Sequence, residues 1–229
     1  MNNLLGPQFA YQSRAALDSP PPSTPSWTFI QAYSVYIATS IANVVVQAND
    51  LILVFYQVWM NPAASPCTDN ASGGSNTYYQ AESHSFNDGS HDCHQRIWYA
   101  KAKASETLTI STTGTDCGLS VHVVRPDSGN FALDAHNHSD EGSGGGSTSH
   151  TGASITTSQA NCYIAVLWGQ ETASGSHTSN SPWTERTDEG AHVHCTQDYI
   201  ASTVGTYAGS LATSPNNEYM NCIVAFKAI

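Results

Sequence analysis

Positive charge is what this chain has least of. Only 7 of its 229 residues are Lys or Arg against 18 Asp or Glu, a formal net charge of −11. A surface of that sign repels a phosphate backbone, so no nucleic-acid partner is expected. Charge of either sign is scarce too, at 11% of residues where about a quarter is usual. Ser, Thr, Asn and Gly fill the intervals between apolar runs, the weakly charged surface of exported and virion proteins. Long hydrophobic runs are missing as well. The most apolar stretch, IANVVVQANDLILVFYQVW at 41–59, is interrupted by Asn49 and Asp50. Its longest nearly apolar piece falls far short of the roughly 20 residues of a spanning helix, so no membrane span is expected. No segment holds the three-and-four spacing of an amphipathic helix over three turns. The start of the chain has no basic region followed by an apolar one, so no secretory signal peptide is expected there. There is no C-x-x-C pair, no G-x-S-x-G elbow and no G-x-x-x-x-G-K-[ST] phosphate loop, which leaves catalysis without a motif.

What is present suits a β protein. Apolar residues make up 40% of the chain, with 5 Trp, 11 Tyr and 6 Phe, enough to build a core. Val44–Val46 and Leu51–Tyr56 are mostly β-branched or aromatic around an Ala-Asn-Asp break, which reads as two buried strands and a turn. Further strands are expected at 28–38, 77–83, 94–104, 106–112, 119–126, 153–158, 162–169, 183–187, 192–202 and 221–229, about eleven in all. The stretch DEGSGGGSTSHTG at 140–152 reads as a long surface loop inside one domain. Residues 1–26 differ in kind. Leu4, Leu5, Phe9 and Tyr11 are scattered apolar positions ahead of SPPPSTPS, whose prolines favour an extended spacer. The expected organisation is therefore an extended N-terminal arm with its Pro-rich spacer over 1–26 and a single β-sandwich over 27–229.

Cys67, Cys93, Cys117, Cys162, Cys195 and Cys222 are an even, scattered set, which reads as disulfides formed in an oxidising compartment. A Cys67–Cys93 bridge is expected across the strand at 77–83, worth about 3 kcal/mol. The histidines cluster as His91 and His94, His136 and His138, and His192 and His194. Residues two apart on a strand share a face, so His192 and His194 present two nitrogens together. No third ligand has a fixed relation to them, and neither a metal nor any other cofactor is expected. HNH at 136–138 lacks the ββα surroundings of a nuclease. Trp59, Trp98 and Trp168 fall in strands and belong to the core, whereas Trp183, in SNSPWTERT, is the candidate for stacking on a sugar ring. Asn70 and Asn137 each open an N-x-[ST] glycosylation tripeptide in a polar loop.

The succession VVVQANDLILVFYQVW, NTYYQAES, RIWYAKAKASETLTIST, SVHVVRP, GASITTSQANCYIAVLWG and NCIVAFKAI resembles a recurrent jelly-roll domain of bacterial surface proteins and phage structural proteins. It departs from that pattern at Cys162, where an acidic residue is common after QAN, and in its six cysteines. The resemblance implies an all-β jelly-roll sandwich. Joined to the arm, it implies a non-enzymatic subunit of an extracellular, cell-surface or virion filament, whose partner is a second copy of itself. A carbohydrate-binding or adhesive module is the alternative.

Overall fold

Residues 51–56 alternate, yet both alternating sets are apolar. Leu51, Leu53 and Phe55 enter one buried cluster, and Ile52, Val54, Tyr56 and Val58 enter another. A strand apolar on both faces belongs in a sheet covered on both sides, and that is where the chain places it. The computed structural model describes residues 26–59, 67–87, 92–114, 117–141, 146–170, 176–189, 194–217 and 219–229. Among these residues there are sixteen strands and no helix. The first eight are β1 (Trp27–Tyr36), β2 (Ser40–Val46), β3 (Leu51–Trp59), β4 (Thr68–Asp69), β5 (Tyr79–Asn87), β6 (Asp92–Lys101), β7 (Glu106–Ser111) and β8 (Cys117–Pro126). The second eight are β9 (Phe131–Asp140), β10 (Ser147–Thr156), β11 (Cys162–Gln170), β12 (Ser176–Ser179), β13 (Thr184–Glu189), β14 (His194–Ala201), β15 (Thr206–Asn217) and β16 (Tyr219–Ala228).

Every pairing is antiparallel, in four sheets: β2-β7-β4, β1-β8-β3-β6-β5, β13-β14-β11-β16-β9 and β10-β15-β12. Three apolar clusters separate them. One joins β2 and β7 to β3, β6 and β8; the second joins β1, β3, β6 and β8 to β11 and β16; the third joins β11, β14 and β16 to β10 and β15. The molecule is thus a stack of four layers, with more strands and more sheets than the expected single sandwich of about eleven strands.

The stack repeats itself. Advancing each strand of the first half by eight turns β1-β8-β3-β6-β5 into β9-β16-β11-β14-β13, and β2-β7-β4 into β10-β15-β12. The registers agree to the residue. Leu51 faces Val124 and Lys101, and in the second half Tyr163 faces Phe226 and Ile200. The bulge after Phe29 in β1 recurs after Leu133 on the β9 ladder, and the bulge between Gln80 and Glu82 recurs between Glu185 and Thr187. Across the middle layer β1 packs on β13 and β5 on β9. That exchange of equivalent strands is the reciprocal pattern of a two-fold contact.

Each half turns sharply on the same three residues. Gln47-Ala48-Asn49 and Gln159-Ala160-Asn161 precede β3 and β11, with Asn49 at φ 76° and Asn161 at φ 57°, a conformation asparagine tolerates. After the first turn Asp50 is buried, accepts the Gln47 N–H at 2.8 Å and holds Arg125 through both oxygens at 2.7 and 3.0 Å. After the second turn stands Cys162, and the carboxylate comes instead from Asp134 at the β9 bulge, 3.1 Å from Lys227. Lys227 occupies the place that Arg125 has in the first half. The charge pair is kept while its acidic member changes strand.

Candidate functional site

The two-fold relation supplies an internal control. Where two equivalent positions carry different polar groups, the fold itself requires neither set. The seam between β5 and β9 carries Glu82, His84, His136, His138 and Asp140. The equivalent seam between β13 and β1 carries Thr187, Glu189, Ala32, Ser34 and Tyr36. In the first seam His136 Nδ1 lies 2.8 Å from Glu82 Oε2 and His138 Nδ1 lies 3.3 Å from Oε1. His84 Nε2 lies 2.8 Å from Asp140, and its ring stacks on His138 at 4.3 Å. Burial pushes the Glu82 pKa up, but His136, the Ser83 N–H and His138 together outweigh it and hold the carboxyl below its usual range. Burial, with help from His138, lowers the His84 pKa against the opposing pull of Asp140. In the second seam Ser34 meets Glu189 directly. The sequence indicated the His136–His138 pair. Glu82, His84 and Asp140 carry no local signal, since only sheet pairing brings them there.

Histidine–carboxylate pairs recur toward the same end of the stack. His150 lies 2.7 Å from Glu141 and 3.0 Å from Thr213 Oγ1, and His177 lies 2.5 Å from Asp188 and 2.9 Å from the Tyr219 hydroxyl. His94 has Ser85 Oγ at 2.6 Å from Nδ1 and Asp92 Oδ1 at 2.9 Å from Nε2. The order Ser-His-Asp is that of a nucleophilic relay. His94 Nε2 nonetheless makes no hydrogen bond among the described residues, so the approach to Asp92 is close but misdirected. The carboxylate therefore does not orient the imidazole as a general base requires. Among the described residues no group of three or more His, Cys, Asp or Glu is arranged to hold a metal ion.

A second polar constellation lies inside the middle layer. His194 Nε2 meets Ser120 Oγ at 2.7 Å, Ser120 meets Thr187 at 3.1 Å, and Thr187 meets Thr196 at 2.6 Å. Thr196 meets His122 Nε2 at 2.8 Å, and His122 Nδ1 meets the Tyr163 hydroxyl at 3.0 Å. Tyr163 then donates to Asp198 at 3.0 Å, and Asp198 takes Arg186 at 2.9 Å. Burial pushes His194 down to about 3 and His122 well below its ordinary value, so both rings are neutral. At the equivalent positions of the other half stand Gln95 for His194, Cys222 for Ser120 and Val224 for His122.

Several expected site residues stand elsewhere than the sequence implied. Leu4, Leu5, Phe9, Tyr11, His91 and His192 lie outside the described residues, as do the side chains of Trp59 and Cys117. The Cys67–Cys93 bridge does not form: Cys67 is a free thiol within the first apolar cluster, and Gln57 Nε2 reaches Cys93 Sγ at 4.0 Å. Cys162, Cys195 and Cys222 are likewise free and buried. Burial, with Asp134 adding to it, pushes Cys162 up to about 11. These cysteines behave as small apolar residues, so they give no argument for an oxidising compartment. Trp98 and Trp168 are core, as expected. Trp183 is not an open platform: it is 7% exposed, packs on Tyr199 at 5.8 Å and donates to the Ala208 carbonyl at 3.0 Å. Asn70 is exposed in a loop, with Oδ1 accepting the Thr109 N–H at 2.6 Å. Asn137 sits in β9 rather than in a loop, its Nδ2 donating to the Ser154 carbonyl at 2.9 Å. Residues 147–152, read as loop from their Gly and Ser content, form the start of β10.

The two halves join at one pole. The Asp127 N–H donates to the Ser26 carbonyl at 3.0 Å, and the Ile229 N–H donates to the Asn130 carbonyl at 3.1 Å. Residue 26, where the Pro-rich spacer ends, is thereby fixed beside the turn linking β8 to β9. Comparison with family models, with curated proteins and with solved structures found no match for this chain.

Proposed function

We propose that the chain is a non-enzymatic structural subunit built from two tandem jelly rolls, which assembles head-to-tail into an extracellular filament such as a pilus-like fibril or virion appendage. A jelly roll is an antiparallel ribbon pairing strands one with eight, two with seven, three with six and four with five, wrapped so that alternate pairs fall in opposite sheets. Here β1 pairs with β8, β2 with β7 and β3 with β6, and the second half repeats this. Only the fifth strand departs, extending the inner sheet beside β6 instead of pairing with β4. Among the described residues no helix is long and apolar enough to cross a membrane.

The observation that carries the reading is how the outer edges and the arm root are arranged. On β2 the Val45 N–H is taken by the Tyr33 hydroxyl at 3.0 Å and its carbonyl by Gln31 at 3.2 Å, and Asn137 caps β10 in the same way at Ser154. Capped edges resist indiscriminate strand pairing, leaving association to a dedicated element. The segment with Leu4, Leu5, Phe9 and Tyr11 is such an element, tethered by its prolines to the pole at Ser26. Burying four large apolar side chains on a neighbour contributes about 1.5 to 3 kcal/mol each before the ordering cost.

Electron microscopy of the full chain and of a chain starting at Trp27 tests this. Filaments from the full chain alone, with the shorter chain folded, are expected. Filaments from the shorter chain, or none from the full one, defeat the arm-exchange mechanism. Glycan binding, the second reading, cannot rest on Trp183, whose ring is buried.

A further inference from the structure

The pole that anchors Ser26 also carries a cavity of about 290 Å³, lined by Asn49, Thr77, Tyr79, Lys101, Ala102 and Lys103. Tyr79 is 56% exposed, and the neighbouring Tyr99 ring, 5.6 Å away at 35°, is itself held by Phe226 at 5.0 Å. Tyr79 is thus an outward aromatic surface backed by a fixed ring. The cations beside it differ from three others of the described residues. Arg125, Arg186 and Lys227 are each bound to a carboxylate. Lys101 donates to the Asn130 side-chain oxygen at 2.8 Å, and Lys103 donates to the Gly74 and Ser75 carbonyls at 3.3 and 2.7 Å. Among the described residues both ammonium groups therefore have only neutral acceptors, which leaves their charge for another anion, in a chain whose net charge is −11.

The other half shows that the fold does not demand this set. By register, Tyr79 corresponds to Thr184, Lys101 to Ile200 and Asn49 to Asn161. Asparagine is retained because the turn needs it, whereas the aromatic ring and the cation are replaced. We propose that this cavity binds an acidic saccharide, one whose ring carries a carboxylate. The Tyr79 face takes the apolar face of the sugar, Lys101 and Lys103 take the carboxylate through charge-assisted hydrogen bonds, and Asn49 and Thr77 meet hydroxyls. A single carboxylate suits two point charges on flexible stems. A polyphosphate does not, since the protein's overall field opposes so many added negative charges. The site is independent of polymerisation, because all its residues come from one chain.

Titration calorimetry of the full chain with sialyllactose, digalacturonic acid, lactose and ATP tests the assignment, alongside amide chemical shifts that locate the binding. Saturable one-to-one binding of a carboxylated sugar is expected, weakening with salt, with shifts confined to the cavity. Lactose should bind at least about tenfold more weakly, and a Lys101→Gln/Lys103→Gln variant should lose about tenfold or more. Tyr79→Ala should remove binding while leaving the thermal melt unchanged, because the side chain is exposed. Absence of saturable binding by both carboxylated sugars overturns the proposal. So do equal binding of lactose, tighter binding of ATP, shifts centred elsewhere, or an unaltered affinity in the Tyr79→Ala chain.

Discussion

Acid should loosen the middle layer, and His194 allows the effect to be worked out. Its ring is fully buried, Nε2 is held by Ser120, and Nδ1 has no partner among the described residues. Burial is the main reason that its pKa falls from 6.5 to about 3. A base with a lowered folded pKa binds fewer protons folded than unfolded between those two values. Stability is therefore full above pH 6.5 and is lost as the pH falls toward 3. Integrating the proton difference, His194 alone removes about 2 kcal/mol between pH 7.5 and pH 5, or about 4 to 8 °C in Tm for a chain of this size. His122 acts in the same direction, its pKa lowered by burial and by Arg186 and His194. Asp198 acts against them, because burial raises its pKa despite Arg186. The variant His194→Gln isolates the term, since glutamine is what the other half places at the equivalent position, Gln95. Urea unfolding at pH 7.5, 6 and 5 should show the variant losing about 2 kcal/mol less than the parent across that range. Equal losses in the two chains would refute the claim that a neutral buried imidazole governs acid stability.

Three further outcomes follow from the packing. Gly169→Ala should cost about 1 to 3 kcal/mol, because the new Cβ would stand 1.9 Å from Gln57 Oε1 and 2.3 Å from Gln95 Nε2 in the buried layer. Gly73→Ala, with nothing within 4 Å, should stay within about 0.5 kcal/mol, and urea midpoints separate the two. Asn49→Ala and Asn161→Ala should each cost about 1 kcal/mol, with glycine at either site close to neutral; a loss at only one turn contradicts their equivalence. Thiol titration of the protein unfolded without reductant should count at least four free thiols, for Cys67, Cys162, Cys195 and Cys222, and a count of two or fewer would restore the disulfide reading.

The candidate sites were harder to read than the fold, for a physical reason. Histidines two apart on a strand announce themselves, so His136 and His138 were visible as a pair. Their partner Glu82 is 54 residues from His136 and reaches it only because β5 of one half packs on β9 of the other. Tyr79 sat in an ordinary strand pattern, whereas Trp183 had the polar neighbours of an exposed ring. Burial inverted that expectation, because Trp183 fills the space against Tyr199 and Tyr207.

Local composition by itself determined the β class, the run of strands from β1 to β3 and the turn at Ala48-Asn49-Asp50, since alternation and β-branching act over a few residues. It missed β9, whose FALDAHNHSD is polar because that strand lies at an inter-half seam, and β15, whose Gly, Ser and Pro mimic a turn although the strand is held by β10 and β12 on either side. Only the tertiary structure decided that there are two equivalent halves. Their registers and bulges coincide while most of the paired residues differ, as Lys101 and Ile200 do. Register depends on which face is buried and on backbone pairing, and many different apolar side chains satisfy both.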